Sequence, residues 1–353
     1  MRRKPARFSM LTVSVVIPIL NAARTLPACL AVMEQLNPKP LEILLVDNGS
    51  TDGSLSLIRA FERNHASCEV RVLEEPRRGA TVARNTGIHA AKGDVIAFTD
   101  ADCAPDSGWL QRLVEPFRDP AVGAVAGRVM AASTATILEL FSALFTLQST
   151  DRPARHQCWT PWEGGFPTAN LAVRRDLVER LGGFDETVGI YGEDYDLCAR
   201  LYRCGAVIVY MPEAKVFHYH RTTLPGMLCQ AFGFGRSHPY LLRRNVSGGL
   251  WLDLPRWSFV LNNCPMPAWI NLASADKKVA GILILGALYS PALLLLLLYG
   301  AWLVLTTRRR ARLAGTPVGG MAAMGMAGLL VLKSAAMTAG RWWGSVKYGA
   351  ICF

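Results

Sequence analysis

Over the first 130 residues, short apolar runs alternate with amphipathic stretches. Val13 to Ile17, Leu41 to Val46, Val70 to Leu73 and Val95 to Phe98 are bounded by turn residues and read as buried strands. Between them, Thr25 opens a helix with Pro27 in its first turn and Leu26, Leu30 and Met33 as its stripe. Ser50-Thr51-Asp52 opens a second helix carrying Leu55, Ile58 and Phe61, and a third spans about Thr81 to Ala91. This βαβα order predicts a three-layer α/β domain around a largely parallel sheet. Beyond it, Val122 to Val129, Asn170 to Val173 and Ala206 to Met211 read as strands, and Ile137 to Leu147 and Tyr195 to Cys204 as helices.

The C-terminal third changes character. Val279 to Leu305 carries no charge and includes six consecutive leucines, Leu293 to Leu298, enough to cross a bilayer core as one helix. A second apolar stretch, Val318 to Gly340, contains Lys333, a costly residue inside a membrane. The expected organisation is a basic tail (1–10), an α/β domain (11–223), an interfacial or amphipathic linker (224–277), a transmembrane helix (278–306), a basic loop (307–317), a second span (318–340) and a tail (341–353). Lys277-Lys278 and Arg308-Arg309-Arg310 flank the first span on both sides, so the positive-inside rule leaves its orientation open.

The net charge of +11 invites a nucleic-acid reading. Its basic residues instead cluster near the apolar stretches, where anionic lipid headgroups are the natural partner, and no groove-reading motif is present. The nine cysteines form no C-x-x-C pair, which fits reduced thiols in a cytosolic domain. Neither a G-x-G-x-x-G turn after the first strand nor a P-loop occurs. What stands out is Thr99-Asp100-Ala101-Asp102 directly after Val95 to Phe98. Two acids at the carboxyl end of a strand, where open α/β sheets bind ligands, suit a divalent cation that also holds phosphate oxygens.

VSVVIPILN (13–21), LLVDNGSTDGS (44–54), GATVARNTGIHAAKGDVIAFTDADC (79–103), GGFDE (182–186) and GEDYDL (192–197) resemble, in order and spacing, the family-2 glycosyltransferases of the GT-A type. The resemblance covers roughly residues 10 to 220. It implies a Rossmann-like, mixed, mainly parallel sheet and inverting transfer of one sugar from a UDP- or dTDP-type donor, with Mn²⁺ or Mg²⁺. Asp102, with Asp100 and His218, is expected at the metal; His220 is the alternative to His218. Pro18, Asn21, Asp47, Asn48, Arg84 and Asp100 are expected at the donor. Asn48, where many members have Asp, can accept a pyrimidine imide N–H. Arg84 can reach the diphosphate or simply be a solvated helix residue.

Asp194, beside Glu193, matches the general base that takes the acceptor's proton; both acids could instead only stabilise a helix N-terminus. Trp162, Gly164 and Gly165, on an aromatic loop, and Asp185 are assigned to the acceptor. The motif of processive synthases is not matched after Gln230, where Phe232-Gly233-Phe234 follows. The expected function is transfer to a hydroxyl of a lipid-linked or membrane-proximal glycan acceptor, at the cell membrane with the catalytic domain on its cytoplasmic side. The competing readings are a non-catalytic sugar-nucleotide-binding membrane scaffold and a nucleotidyltransferase, which would release pyrophosphate.

Overall fold

The structure, a computed structural model, describes residues 11–65, 67–146, 150–160, 164–188, 191–255, 257–262 and 264–353. The alternation of the first half becomes β1 (Val13–Ile19), α1 (Leu26–Met33), β2 (Glu42–Asp47), α2 (Ser54–Asn64), β3 (Glu69–Glu74), α3 (Ala80–Ala90) and β4 (Val95–Phe98). Then follow β5 (Cys103–Pro105), α4 (Trp109–Val114), β6 (Val122–Ala131), α5 (Ile137–Phe145), β7 (Ala154–His156), β8 (Leu171–Arg174), α6 (Arg175–Arg180), α7 (Glu193–Arg203) and β9 (Val207–His218). The strands form one mixed sheet in the order β3-β2-β1-β4-β8-β6-β9-β5, with β7 beside β9. Pairing is parallel from β3 to β4 and turns antiparallel at β8.

Successive residues of β1 face opposite layers, as the period of two requires. Val15 and Ile17 pack with Leu26 and Met33 of α1 and Trp109 of α4. Val16 packs the other way, with Ala83 of α3, Phe98 and Leu197 of α7. Both layers are dry, and every residue of β2 is buried.

β9 departs from expectation in a way that matters for the site. It was expected to stop at Met211, yet it runs on to His218 through Pro212, which cannot donate to a ladder. The sheet absorbs this proline in a bulge: Met211 pairs with Gly127, and the next pair is Lys215 with Arg128. Buried Asn170 secures the bulge, its Nδ2 donating to the carbonyls of Arg128 and Ala214, each at 2.9 Å, while its Oδ1 accepts from Trp109 Nε1 at 2.7 Å. The extension carries His218 opposite Cys103 of β5.

The C-terminal third contains α8 (Leu224–Asn245), β10 (Leu250–Asp253), β11 (Ser258–Leu261), β12 (Ala268–Asn271), α9 (Ala275–Leu288), α10 (Leu294–Leu313), α11 (Gly320–Tyr348) and β13 (Ile351–Cys352). The region expected as a linker, 224–277, is thus a long helix followed by strands that form a small sheet with β13. The continuous helix expected over 278–306 is broken: Tyr289 is extended, and Ser290-Pro291 starts a new turn that leads into α10. Pro291 has no N–H to continue the ladder of α9 and its ring would clash with the carbonyl four residues back, which explains the break. Among the described residues, Ser290–Leu313 and Gly320–Tyr348 are long and apolar enough to cross a membrane. The expected basic loop 307–317 begins as the last turns of α10, and the expected tail 341–353 is the end of α11 plus β13.

Phe141, Leu144, Met227, Ala311 and Met326 form one cluster that joins α5, α8, α10 and α11. The Phe232-Gly-Phe-Gly-Arg run has a packing purpose here. A Cβ at Gly235 would lie 2.0 Å from the Met337 carbonyl oxygen, and one at Gly340 would lie 2.1 Å from that of Phe232, so α8 and α11 touch backbone to backbone. Gly235→Val is expected to push the two helices apart at a cost of about 1–3 kcal/mol, lowering the thermal midpoint in detergent by roughly 5 °C. Gly328→Ala, where a Cβ meets nothing within 4 Å, should leave the midpoint unchanged in the same melt.

Candidate active site

Because β1 lies between β2 and β4, their carboxyl ends share one edge, with Ile19 opposite Asp47 and Val16 opposite Phe98. Pro18 pairs with Val46 in this ladder. Asn21 takes a left-handed φ of 51°, and its Oδ1 accepts from the Thr51 N–H at 2.8 Å, stapling the loop after β1 to the loop after β2. Asp47 Oδ2 accepts from the N–H groups of Gly49 and Ser50 at 3.0 and 3.1 Å. Its Oδ1 is buried and without a hydrogen-bond partner among the described residues.

Asn48, expected at the donor base, is already hydrogen-bonded through both ends of its amide. Its Oδ1 accepts from the Gly79 N–H at 2.8 Å, and its Nδ2 donates to the carbonyls of Glu75 and Arg77 at 3.0 and 2.7 Å. The free acceptor at this strand end is Asp47 Oδ1. Arg84 likewise differs from expectation, being neither solvated nor free. It is 5% exposed and bridges two acids, with Nη2 to Asp100 Oδ1 at 2.9 Å and Nη1 to Glu193 Oε1 at 3.0 Å. Burial works against its charge, but Asp100 and Glu193 outweigh burial and hold its pKa above the ordinary value.

Glu193 and Asp194 stand in the first turn of α7, after Gly192. Gly192 has a φ of 98°, and a Cβ there would lie 2.7 Å from Ser237 Cβ on α8, so the close approach of α8 and the entry to α7 both require glycine. Burial, reinforced by the neighbouring Asp194, pushes Glu193 upward against the pull of Arg84. Asp194 accepts from the Tyr195 N–H at 2.9 Å, and burial, opposed by Arg84, raises it to about 6. Asp196 is fully buried and pairs with Arg200 and Arg244 at 2.8 and 3.0 Å.

Asp102 and His218 meet where β5 pairs with β9. His218 Nε2 lies 3.5 Å from Asp102 Oδ1, and the Cys103 thiol completes a group whose donor atoms lie within 4.8 Å of one another. Burial raises Asp102, with His218 opposing. His218 Nδ1 is buried without a partner among the described residues, so a ring of this orientation has one nitrogen toward Asp102 and no competing use for it. Carboxylate and imidazole donors fit a divalent cation such as Mn²⁺. His220 is tilted against His218 with centroids 4.8 Å apart, and burial, then the His218 charge, lowers it to about 4.

Two residues were not foreseen. Cys103 directly follows the acidic pair, and only the long reach of β9 places it against His218. Arg221 follows His220, and its charge is felt at Asp102; the His-x-His-Arg run was a signal for it.

Asp194 and Tyr195 line a cavity of about 530 Å³ whose other walls come from α8, α9, α10 and α11. Of the expected acceptor residues, Gly164, Gly165 and Asp185 are not among its lining residues. Gly165 lies under the Tyr195 ring, and the Gly164 carbonyl accepts from Tyr202 Oη at 2.9 Å. Asp185 is held by Arg244, by the Thr187 N–H and Oγ1 and by Tyr240, which ties its loop to α8 rather than freeing it for a ligand. Trp162 lies outside the described residues.

Residues 14–182 match the family model described as glycosyl transferase family 2. A pre-mycofactocin glycosyltransferase of Mycobacterium tuberculosis is 33% identical over 247 residues, 68% of this chain and 50% of that protein. The glycosyltransferase AglE of Haloferax volcanii is 35% identical over 176 residues, 49% of this chain and 55% of its own length. The chain spans about half the length of these relatives. In fold it is similar to a mannosyltransferase of Pyrobaculum calidifontis solved with GDP-Man and Mn²⁺, with a TM-score of 0.61 at 23% identity, covering 95% of this chain and 88% of that one. Strand order, acidic edge and sequence agree, and residues 14–182 belong to glycosyl transferase family 2 on a GT-A fold.

Proposed function

We propose that the chain moves one sugar, with inversion, from a nucleoside-diphosphate donor to a hydroxyl of a lipid-linked or membrane-proximal acceptor on the cytoplasmic side of a membrane. The observation that carries this reading is the Arg84 bridge, which brings the strand-end acid Asp100 and the Glu193-Asp194 pair into one centre. A solved structure of similar fold, the Pyrobaculum mannosyltransferase, holds GDP-Man with Mn²⁺, which supports this reading.

In this reading Asp47 Oδ1 accepts an N–H of the donor base. Uracil, thymine and guanine each carry a ring N–H for this oxygen, and the second lone pair of Asn48 Oδ1 keeps the expected pyrimidine contact open. Asp102 and His218, with Asp100 behind them, hold the metal, and a cation bound there offsets charge on the departing diphosphate. Arg221 takes over the diphosphate contact first expected of Arg84, which instead positions Asp100 and Glu193. Asp194 removes the proton from the acceptor hydroxyl as that oxygen bonds to the anomeric carbon and the carbon–oxygen bond to the diphosphate breaks, leaving nucleoside diphosphate as product.

Asp194→Asn is expected to lower kcat by roughly 10²–10⁴-fold while nucleotide affinity stays within about twofold, read by nucleoside diphosphate release and by calorimetry. Retained turnover in that variant moves the base elsewhere. Because burial raises Asp194 to about 6, the ionised base is lost as pH falls through 6 rather than through 4; a kcat profile should fall about tenfold per unit below that point in wild type. Chelation should abolish turnover, and His218→Ala should raise the half-activating Mn²⁺ concentration at least about tenfold in a metal titration. An unchanged titration would remove His218 from the metal site.

A further inference from the structure

The cavity at Asp194 contains two cations that sugar transfer as described does not use. Lys278, on α9, and Lys333, on α11, both line it. Lys333 is 8% exposed and donates to the Phe145 carbonyl at 2.7 Å and to Thr146 Oγ1 at 3.0 Å, both neutral oxygens. The Lys278 ammonium lies 5.9 and 5.6 Å from the ring centroids of Tyr299 and Trp302. Neither lysine forms an ion pair with a carboxylate among the described residues. Lys333 is taken out of water without a counter-charge, which is costly, and half-exposed Lys278 adds a second positive charge to the same chamber. Such a pair persists where a ligand supplies the missing negative charge.

The remaining walls describe the rest of that ligand. Leu303 and Trp302 of α10 and Leu330 and Met337 of α11 give the chamber an apolar side. The helices that carry them are the two of membrane-crossing length, and the outer surface of α10 exposes Leu294, Leu297 and Leu298. A sugar acceptor dissolved in water has no use for such a wall, whereas an amphiphile has. Lysine, as a compact point charge, suits phosphate oxygens.

We infer that this chamber binds an amphiphilic acceptor by a phosphate head held between Lys278 and Lys333, with its apolar chain against α10 and α11 and its hydroxyl facing Asp194. The inference deepens the proposed transfer by naming the acceptor class, and it depends on that reading only for the role of Asp194. The two lysines bind and position; the proton transfer belongs to Asp194.

The test uses the full chain in detergent without donor or metal, titrated calorimetrically with farnesyl phosphate, with farnesol and with inorganic phosphate. Farnesyl phosphate is expected to bind at least about tenfold more tightly than either of the others, since both halves of the site are then filled. Half-exposed Lys278 gives the safer variant: Lys278→Gln should fold as wild type and weaken farnesyl phosphate about tenfold, leaving farnesol unchanged. Lys333→Gln should do the same, with its melting curve as the check on folding. Equal affinity for farnesol and farnesyl phosphate, inorganic phosphate binding as tightly as the lipid, or unchanged affinity in folded Lys278→Gln each overturns the inference. Since no donor is present, any of these results leaves the transfer reading standing, and a failure of nucleoside diphosphate release leaves this binding result standing.

Discussion

One buried guanidinium organises the centre of this molecule. Arg84 joins a carboxylate after β4, 16 positions on, to one at the start of α7, 109 positions on, and its own helix packs against β1 and β2. Without that cation, Asp100, Glu193 and Asp194 would face one another across a dry space, and mutual repulsion would drive them apart or into their protonated forms. A buried ion pair is weak evidence for net stability, because desolvation consumes much of the attraction. Its value here is geometric: it sets where the first turn of α7 stands relative to the strand edge, and so where Asp194 stands relative to the donor side.

A second constraint acts on the opposite flank. Pro212 would end an ordinary central strand, yet the bulge at Gly127 and the three hydrogen bonds of Asn170 let β9 continue to His218. The imidazole that faces Asp102 is thus delivered by an irregularity. Regular pairing would have placed the same residue out of register with Cys103.

The parts of the fold that obey a short period were legible in the sequence. β1, β2 and β4 are short, mainly apolar runs, and the caps and prolines around α1 and α2 mark their limits. The acids after β4 and in the first turn of α7 were visible because their order and spacing are unusual. What escaped notice depends on partners distant in sequence. Asn48 reads as a free base contact until Gly79, Glu75 and Arg77 are seen to use both its N–H donors and one lone pair of its oxygen. Arg84 reads as a phosphate ligand until two carboxylates are found beside it. α8 was obscure because Gly233, Gly235 and Pro239 blur its helical period, although Gly235 serves contact with α11. The break before α10 was signalled by Ser290-Pro291, but the leucine run that follows dominated the reading.

The chamber beside Asp194 joins the two halves of the molecule more closely than a catalytic head on a stalk would. Its near side belongs to α7 and its far side to α9, α10 and α11, so the apolar helices wall the chamber proposed for the acceptor. Their tilt sets its width. In a bilayer, tilt follows hydrocarbon thickness, and the lipid surroundings thereby become a determinant of which acceptors fit.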